Sequence, residues 1–416
     1  MTTKLTKLKL KNIGGFQDFE LNFHENLTVL IGKNGAGKTT ILKSIALLFD
    51  LVLDTLVNFS KNNLPINDNF IRNVAIQKLS THEARSLWLG KSDNYHINID
   101  LSIDGKTVSL KSDNIDTDDF SQTLQNLLHN QQHLPLFVYY PAYNAPVGNI
   151  EFSDLKLENH ILAAYISACQ EGVFDFNRFF AWFKWQENIN REVGNNKKYE
   201  IVRQAIYKVI SDEQIIFNNL HITWQNNPVG DLCIEKNGTL LHINQLSAGE
   251  KMLMILVADL ARRLIIANPS NDNPLEQDGV ILIDEIDLHL HPSWQRAIVP
   301  NLMDIFPNCQ FILTTHSPQI LSHVKPESIF IIKENSSLHP EESYGKNTDR
   351  ILEDLMDTDA RPSKEKQRLH NLFVLIQNKK FAEAKDLIEE LQTEIGMDSE
   401  LQKAKVLLKR MEIIGK

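Results

Sequence analysis

Cysteine is scarce in this chain of 416 residues: Cys169, Cys233 and Cys309 are far apart and odd in number. That pattern argues against a disulfide framework or a zinc ribbon and suggests a reducing compartment. Positive charge is not in excess either. The formal net charge is −10, which argues against generalised coating of nucleic acid, although a local basic groove depends only on where Lys and Arg sit. No apolar run approaches membrane-spanning length, and Met1–Thr2–Thr3–Lys4 lacks a signal-peptide apolar region. The expectation is a cytoplasmic protein with no membrane partner. Between residues 51 and 240 there is no internal repeat, no heptad run of coiled-coil length and no low-complexity tract. What remains is an ordinary globular composition, 42% hydrophobic and 23% charged, in a length that divides into two or three units.

Against that plain background one stretch stands out. Gly32, Lys33, Asn34, Gly35, Ala36, Gly37, Lys38 and Thr39 follow the apolar run Leu27–Ile31 and precede Leu42, Ile45, Ala46 and Phe49 at helical spacing. Strand, glycine loop and helix form the setting in which G-x-x-x-x-G-K-[ST] has a mechanism. Glycines let successive backbone N–H groups turn inward around phosphate oxygens, and the helix N-terminus adds its dipole. Lys38 would reach the β- and γ-phosphates and the Thr39 hydroxyl would ligate Mg²⁺, with Thr40 beside it in the ATP-binding set.

Upstream, Leu5, Leu8 and Leu10 lie among Lys7, Lys9 and Lys11, and Phe19, Leu21 and Phe23 alternate with polar residues, so residues 4–31 read as strands. The lysine row is either a DNA-facing strip or a solvated strand face whose charge protects an edge, and the second reading is favoured. Residues 51–240 carry no nucleotide motif of their own. Tyr95 to Ile103 and Val108 to Leu110 flank a turn at Asp104–Gly105 and read as a hairpin, and Leu134–Pro141 reads as a buried strand ended by proline. From Leu155 to about Ile210 the pattern is helical. Phe176, Phe179, Phe180 and Phe183 share a face there, with Trp182 and Trp185 beside it and Arg178 and Lys184 interleaved. A base-stacking platform has that composition, but helical spacing favours an apolar face in a core.

The chemistry resumes at Leu246–Ser247–Ala248–Gly249–Glu250, which precedes an apolar helix from Met252 to Leu264. Ser247 is placed as an N-cap and Glu250 completes the capping box, a second anion site at a helix N-terminus. Val280–Ile283 then reads as a strand buried on both faces, with Asp284 and Glu285 at its C-terminal end, where open α/β sheets place ligands. Asp284 would hold Mg²⁺ through a water and Glu285 would polarise the attacking water. The acid and histidine alternation through Asp287, His289 and His291 needs no second metal beside such a site. Cys309–Thr315 is another buried strand, ending in His316, which can donate to a γ-phosphate or orient the water. Ile329–Ile332 is a last strand. Three amphipathic helices follow: Leu369 to Ile376, Phe381 to Ile395 closed by Gly396, and a third opened by a capping box at Ser399–Gln402. They carry no catalytic residues and suit docking.

Phosphate loop, Leu-Ser-Ala-Gly-Glu, a hydrophobic strand ending Asp-Glu, and Thr-Thr-His-Ser together resemble the ABC-type ATPase set, in the branch of SMC, RecF and OLD-type proteins. The opening Leu-Lys-Leu-Lys-Asn-Ile-Gly-Gly-Phe supports that branch. A narrower similarity, through Leu-Ile-Asp-Glu-Ile-Asp-Leu-His-Leu-His-Pro-Ser-Trp-Gln and Arg-Ile-Leu-Glu-Asp-Leu-Met, is to the ATPase component of Septu-type and retron-linked antiphage systems. That component works with a separate HNH-type nuclease. The implied fold is an α/β ABC-ATPase (P-loop NTPase) head of mixed sheet, formed by residues 1–50 and 241–335. Residues 51–240 are the implied insertion, strand-rich at first and then a helical lid over about 151–215, and residues 345–416 form a helical tail.

The resemblance also implies a head-to-tail dimer. Ser247 and Gly249 of one subunit would close on the γ-phosphate held by Lys38 of the other, and Asp287 would link the two sites. The family's Gln has no match, and Tyr139–Asn144 is the segment where it is expected. Ala248 stands where glycine is commoner. Two rival readings stay open: a RecF-like repair ATPase that binds DNA, and a module that senses nucleotide with little turnover. Nucleic acid as a trigger is open under the first reading as well.

Overall fold

Leu27–Ile31 forms β3, five residues buried on both faces, and its neighbours show why. The computed structural model describes residues 2–63, 95–112, 119–129, 134–142, 160–169, 176–225, 227–359, 361–396 and 398–414. In it, β3 lies between β11 (Cys309–Thr314) and β12 (Ile329–Lys333). Outside β11 come β10 (Gly279–Ile283) and then β6 (Leu136–Tyr140), all running parallel. A short antiparallel strand, β13 (Ser336–Leu338), which has no signal in the apolar pattern, closes the other edge. β3, β6, β10 and β11 are buried throughout, as a parallel sheet covered on both sides requires. Helix α1 (Lys38–Asn63) covers it, burying Ile41, Leu42, Ile45 and Ala46, and stacks Phe49 on Phe137 at 4.3 Å.

The strands of the N-terminal segment join a second sheet with the order β2-β1-β4-β5, all antiparallel: β1 (Thr3–Ile13), β2 (Phe16–Asn22), β4 (His96–Ile103) and β5 (Lys106–Lys111). A bulge between Leu5 and Lys7 shifts the alternation, so that Leu5, Leu8 and Leu10 all face inward despite their uneven spacing. Lys7 and Lys9 both pair with Glu20 across the strand, Lys9 at 3.2 Å, which favours the solvated-face reading of the lysine row. Buried Gln310 of β11 bonds Leu5 N and O at 2.7 and 2.8 Å and so locks the two sheets together. The interval 51–240 therefore supplies β4 and β5 to one sheet and β6 to the other. Helix α2 (Asp119–His129) lies between those strands in the chain.

Further along, α3 (Phe176–Val193) and α4 (Lys197–Ile210) precede the three-stranded sheet of β7 (Phe217–Thr223), β8 (Asp231–Lys236) and β9 (Thr239–His242). Phe176, Phe179, Phe180 and Phe183 are buried, ring contacts run from Phe176 through Phe179 and Phe183 to Tyr199, and Lys184 is committed to Val229 O at 2.7 Å. That is a core face, beside which Trp185, alone of the aromatics between residues 176 and 185, is exposed. Residues 151–159 and 170–175 of the expected lid, and Tyr143–Asn144, lie outside the described residues. Helix α5 (Ala248–Ala267) is buried almost all round, α6 (Pro292–Ile305) follows β10, and the one-turn α7 (Pro318–Leu321) follows β11.

Residues 347–416 form a second unit by themselves, with α8 (Thr348–Asp354), α9 (Ser363–Gln377), α10 (Phe381–Ile395) and α11 (Ser399–Ile414). Leu369, Leu372, Ile376, Ala384, Ile388, Leu391, Leu401, Ala404 and Leu408 are its core. The expected capping box at Ser399 is displaced by one residue. Asp398 accepts from Glu400 N and Leu401 N at 3.0 and 2.9 Å, because a carboxylate also pairs with Arg361. Among the described residues, no helix is long and apolar enough to cross a membrane.

Candidate active site

Because β3, β10 and β11 are parallel neighbours, their C-terminal ends deliver the phosphate loop, Asp284–Glu285 and Thr315–His316 to one edge of the sheet. The loop is shaped by contact as well as by turn chemistry. Gly37 has φ +95°, and a Cβ there would lie 2.4 Å from the Phe16 ring, so only glycine lets β2 approach this closely. Lys38 is 7% exposed and folds back to donate to Gly32 O at 2.9 Å and Lys33 O at 3.3 Å. Burial lowers its pKa, against the pull of Asp284, Glu285 and Asp287. A desolvated ammonium held only by carbonyls gains strongly from an incoming phosphate.

Thr39 Oγ1 donates to Asp284 Oδ2 at 2.9 Å, and Thr314 Oγ1 donates to Asp284 Oδ1 at 2.5 Å. A hydroxyl and a carboxylate converge there, a set of hard oxygens suited to a divalent cation of the Mg²⁺ type. Thr314 Oγ1 also accepts from Glu285 N at 2.7 Å. Glu285 itself takes φ +50°, a left-handed conformation that a non-glycine residue adopts only when its surroundings enforce it. Its carboxylate is partly exposed at the mouth of the site, whereas Asp284 is buried.

Asp287 Oδ1 accepts from Thr315 Oγ1 at 2.6 Å and from His316 N at 3.2 Å. It therefore fixes the β11 end within its own subunit. Burial and the nearby Lys38 lower the His316 pKa despite Asp287, Glu285 and Asp284, so the ring is neutral near pH 7. Gln295 of α6 accepts from Ser317 Oγ at 2.7 Å and donates to Leu290 O at 3.0 Å, bracing the acidic loop. Thr314, Thr315 and Gln295 are the positioning residues missed in the motif reading. For the two threonines the signal was present: hydroxyls buried at the end of an apolar strand must find acceptors.

At the other end, Ser247 and Ala248 are exposed at the N-terminus of α5. The capping box is formed: Ser247 Oγ accepts from Glu250 N at 3.3 Å, and Ser247 N donates to Glu250 Oε2 at 2.7 Å. Glu250 is 3% exposed. Burial pushes its carboxyl up, but Lys236 and the Ser247 N–H outweigh that and hold it below the usual range. Gly249 is buried, and a Cβ on it would meet His289 O at 2.6 Å and the Trp294 ring at 3.3 Å. Deeper in α5, Asp259 pairs with Arg262 and Arg263 at 2.7 and 2.6 Å and accepts from Tyr140 OH at 3.0 Å. Tyr140 O accepts from Asp284 N at 2.9 Å, so the end of β6 bridges that helix to the acidic strand.

Residues 27–322 match the family model described as "AAA domain, putative AbiEii toxin, Type IV TA system". The chain belongs to this family of AAA-domain ATPases. It is 31% identical to the Retron Vc95 probable ATPase of Vibrio cholerae serotype O1 biovar El Tor, over 86% of this chain and 80% of that protein. It is 28% identical to the Retron Ec83 probable ATPase of Escherichia coli, over 95% and 85%. The Septu protein PtuA of Bacillus thuringiensis is 26% identical, over 86% and 85%. The protein is thus a nucleotide-binding ATPase on an α/β P-loop fold, with a strand topology consistent with the ABC-type head that its motifs resemble.

Proposed function

We propose that this ATPase is a switch: two copies close head to tail around ATP, and the closed state controls a separate nuclease of the HNH type in defence against phage. The observation that carries the reading is the unequal finish of the site. Lys38, Thr39, Asp284 and His316 are gathered and bonded within one chain. Ser247, the other phosphate-facing candidate, is exposed on the N-terminus of its helix and makes no hydrogen bond to the phosphate loop. A helix N-terminus in that condition suits an anion brought by a second subunit. The defence role draws its support from the likeness to retron and Septu proteins, and the HNH-type partner from the motif resemblance given above.

In hydrolysis, Lys38 leaves the Gly32 and Lys33 carbonyls for the phosphates. Glu285 accepts a proton from water as the water oxygen bonds the γ-phosphorus and the bond to the ADP oxygen breaks. Neutral His316 would donate to a γ-phosphate oxygen. Thr39 and Asp284 would hold Mg²⁺, which when bound neutralises charge on the phosphate oxygens. Asp287 keeps His316 and Thr315 in place during the step.

Glu285→Gln tests the reading. It should keep ATP affinity, lose hydrolysis by about 100-fold or more, and sediment as a dimer in ATP but not in ADP. Unchanged turnover would remove Glu285 as the base, and a monomer in saturating ATP would remove the head-to-tail switch. A RecF-like repair role would instead show as strong DNA affinity falling steeply with salt.

A further inference from the structure

We infer that Lys236 is the positioning residue for Ser247, and that Glu250 serves the site by holding Ser247 rather than by touching nucleotide. The inference rests on the head-to-tail reading above. Lys236 ends β8, opposite Phe217 and Thr239, with its ammonium 5.6 Å from the Phe217 ring centre. It donates to Glu250 Oε1 at 2.6 Å, while Glu250 Oε2 takes the Ser247 N–H at 2.7 Å. Both carboxylate oxygens of a side chain that is 4% exposed are thereby used inside the subunit. Little of that carboxylate remains to meet a ligand.

What the carboxylate does instead is fix the exposed corner of α5. With its N–H held by Glu250 Oε2 and its Oγ accepting from Glu250 N, Ser247 has one conformation. Its hydroxyl proton is then left for an incoming acceptor such as a phosphate oxygen. A buried carboxylate is tolerated here because an ammonium offsets its charge, and removing one partner of a buried pair leaves the other uncompensated. Without Lys236, the ionised Glu250 has no counter-charge in its buried place and turns out to water. Turning out to water releases Ser247 N and loosens the corner that faces the second subunit, while the phosphate loop, built on other strands, is untouched.

The test uses the full chain in the Glu285→Gln background, with ATP affinity measured by a fluorescent ATP analogue and assembly by sedimentation in ATP. Lys236→Met keeps the stem over Phe217 and loses the charge. It should leave ATP affinity within about twofold, weaken the dimer by about tenfold or more, and lower kcat to a similar degree when Glu285 is present. Lys236→Arg should restore most of the loss. Adding Glu250→Gln to Lys236→Met should also restore assembly, because the neutral side chain keeps an oxygen for Ser247 N and needs no counter-charge. That double variant also serves if Lys236→Met alone folds poorly. Lys236→Met assembling as tightly as its parent would overturn the role, as would a double variant no better than Lys236→Met. A parent that stays monomeric in ATP is a different result: it overturns the head-to-tail reading and takes this role with it.

Discussion

At the phosphate-loop end of the site Lys38 is 7% exposed and already bonded to two carbonyls, and Asp284 is gripped by two threonines. At the signature end Ser247 and Ala248 stand in solvent, and the bonded, buried member is Glu250, which faces back into the protein. The difference separates two tasks. The first end has its groups gathered before a ligand arrives, and binding asks Lys38 to exchange its two carbonyls for phosphate oxygens. The second end is an exposed, capped corner whose ligand, in the proposed head-to-tail reading, is brought by another molecule. Burial is spent where chemistry needs a low dielectric, and exposure is kept where assembly needs access.

The largest effect should follow from removing the charge at the buried end. Lys38→Ala should lower ATP affinity by roughly 100-fold, measured by calorimetry, since it deletes the main charge-assisted contacts to phosphate. An affinity within threefold of wild type would mean that the loop binds through its backbone alone. Gly249→Ala should be next. Its Cβ would lie 2.6 Å from the His289 carbonyl, a backbone atom beside a residue with φ +64°. The acidic loop must shift, at about 1–3 kcal/mol in a denaturant melt, with ATP affinity kept and kcat reduced. If affinity fell as far as in Lys38→Ala, the two ends would not be separable.

A pH profile probes the same division more gently. The His316 pKa is lowered, first by burial and then by Lys38, from an ordinary value near about 6.5. The neutral form is the one the fold prefers. Its contribution to stability is therefore complete above the unfolded value and is lost as pH falls through the lower folded value. The acid limb of kcat/KM, which reports the free enzyme, should lie below the usual histidine range and should change shape in His316→Gln. A limb that is the same in both proteins would assign it to another group.

These experiments also track what could be read in advance. The phosphate loop, the acidic strand and the Ser247 box were legible because each is local: turn chemistry, a run of buried residues, or a cap within one helical turn. Pairings made across the chain were not. Nothing local to Leu136–Tyr140 says that it runs beside β10, or to Tyr95–Leu110 that it pairs with β1, since such register emerges only from the packed sheet. Lys236 reads in isolation as a solvated strand residue, and only the fold brings it to Glu250. Asp398 displaced Ser399 as a cap for a similar reason: Arg361 rewards the carboxylate from outside the helix.

The smallest effect makes the sharpest statement about the exposed end. Ser247→Ala removes one hydroxyl whose bond to Glu250 N is long, 3.3 Å, and solvent-facing. An N-cap of this kind is worth about 0.5–1 kcal/mol, and Glu250 still holds the residue's N–H. The melt should barely move, and ATP affinity of the monomer should not move at all. Turnover and ATP-driven assembly should both fall by about tenfold or more, because the hydroxyl proton is the part addressed to another subunit. Stability and assembly would then respond to different atoms of one residue. A variant that lost stability and assembly in proportion would instead make Ser247 an ordinary cap, and the signature end no more than a helix start.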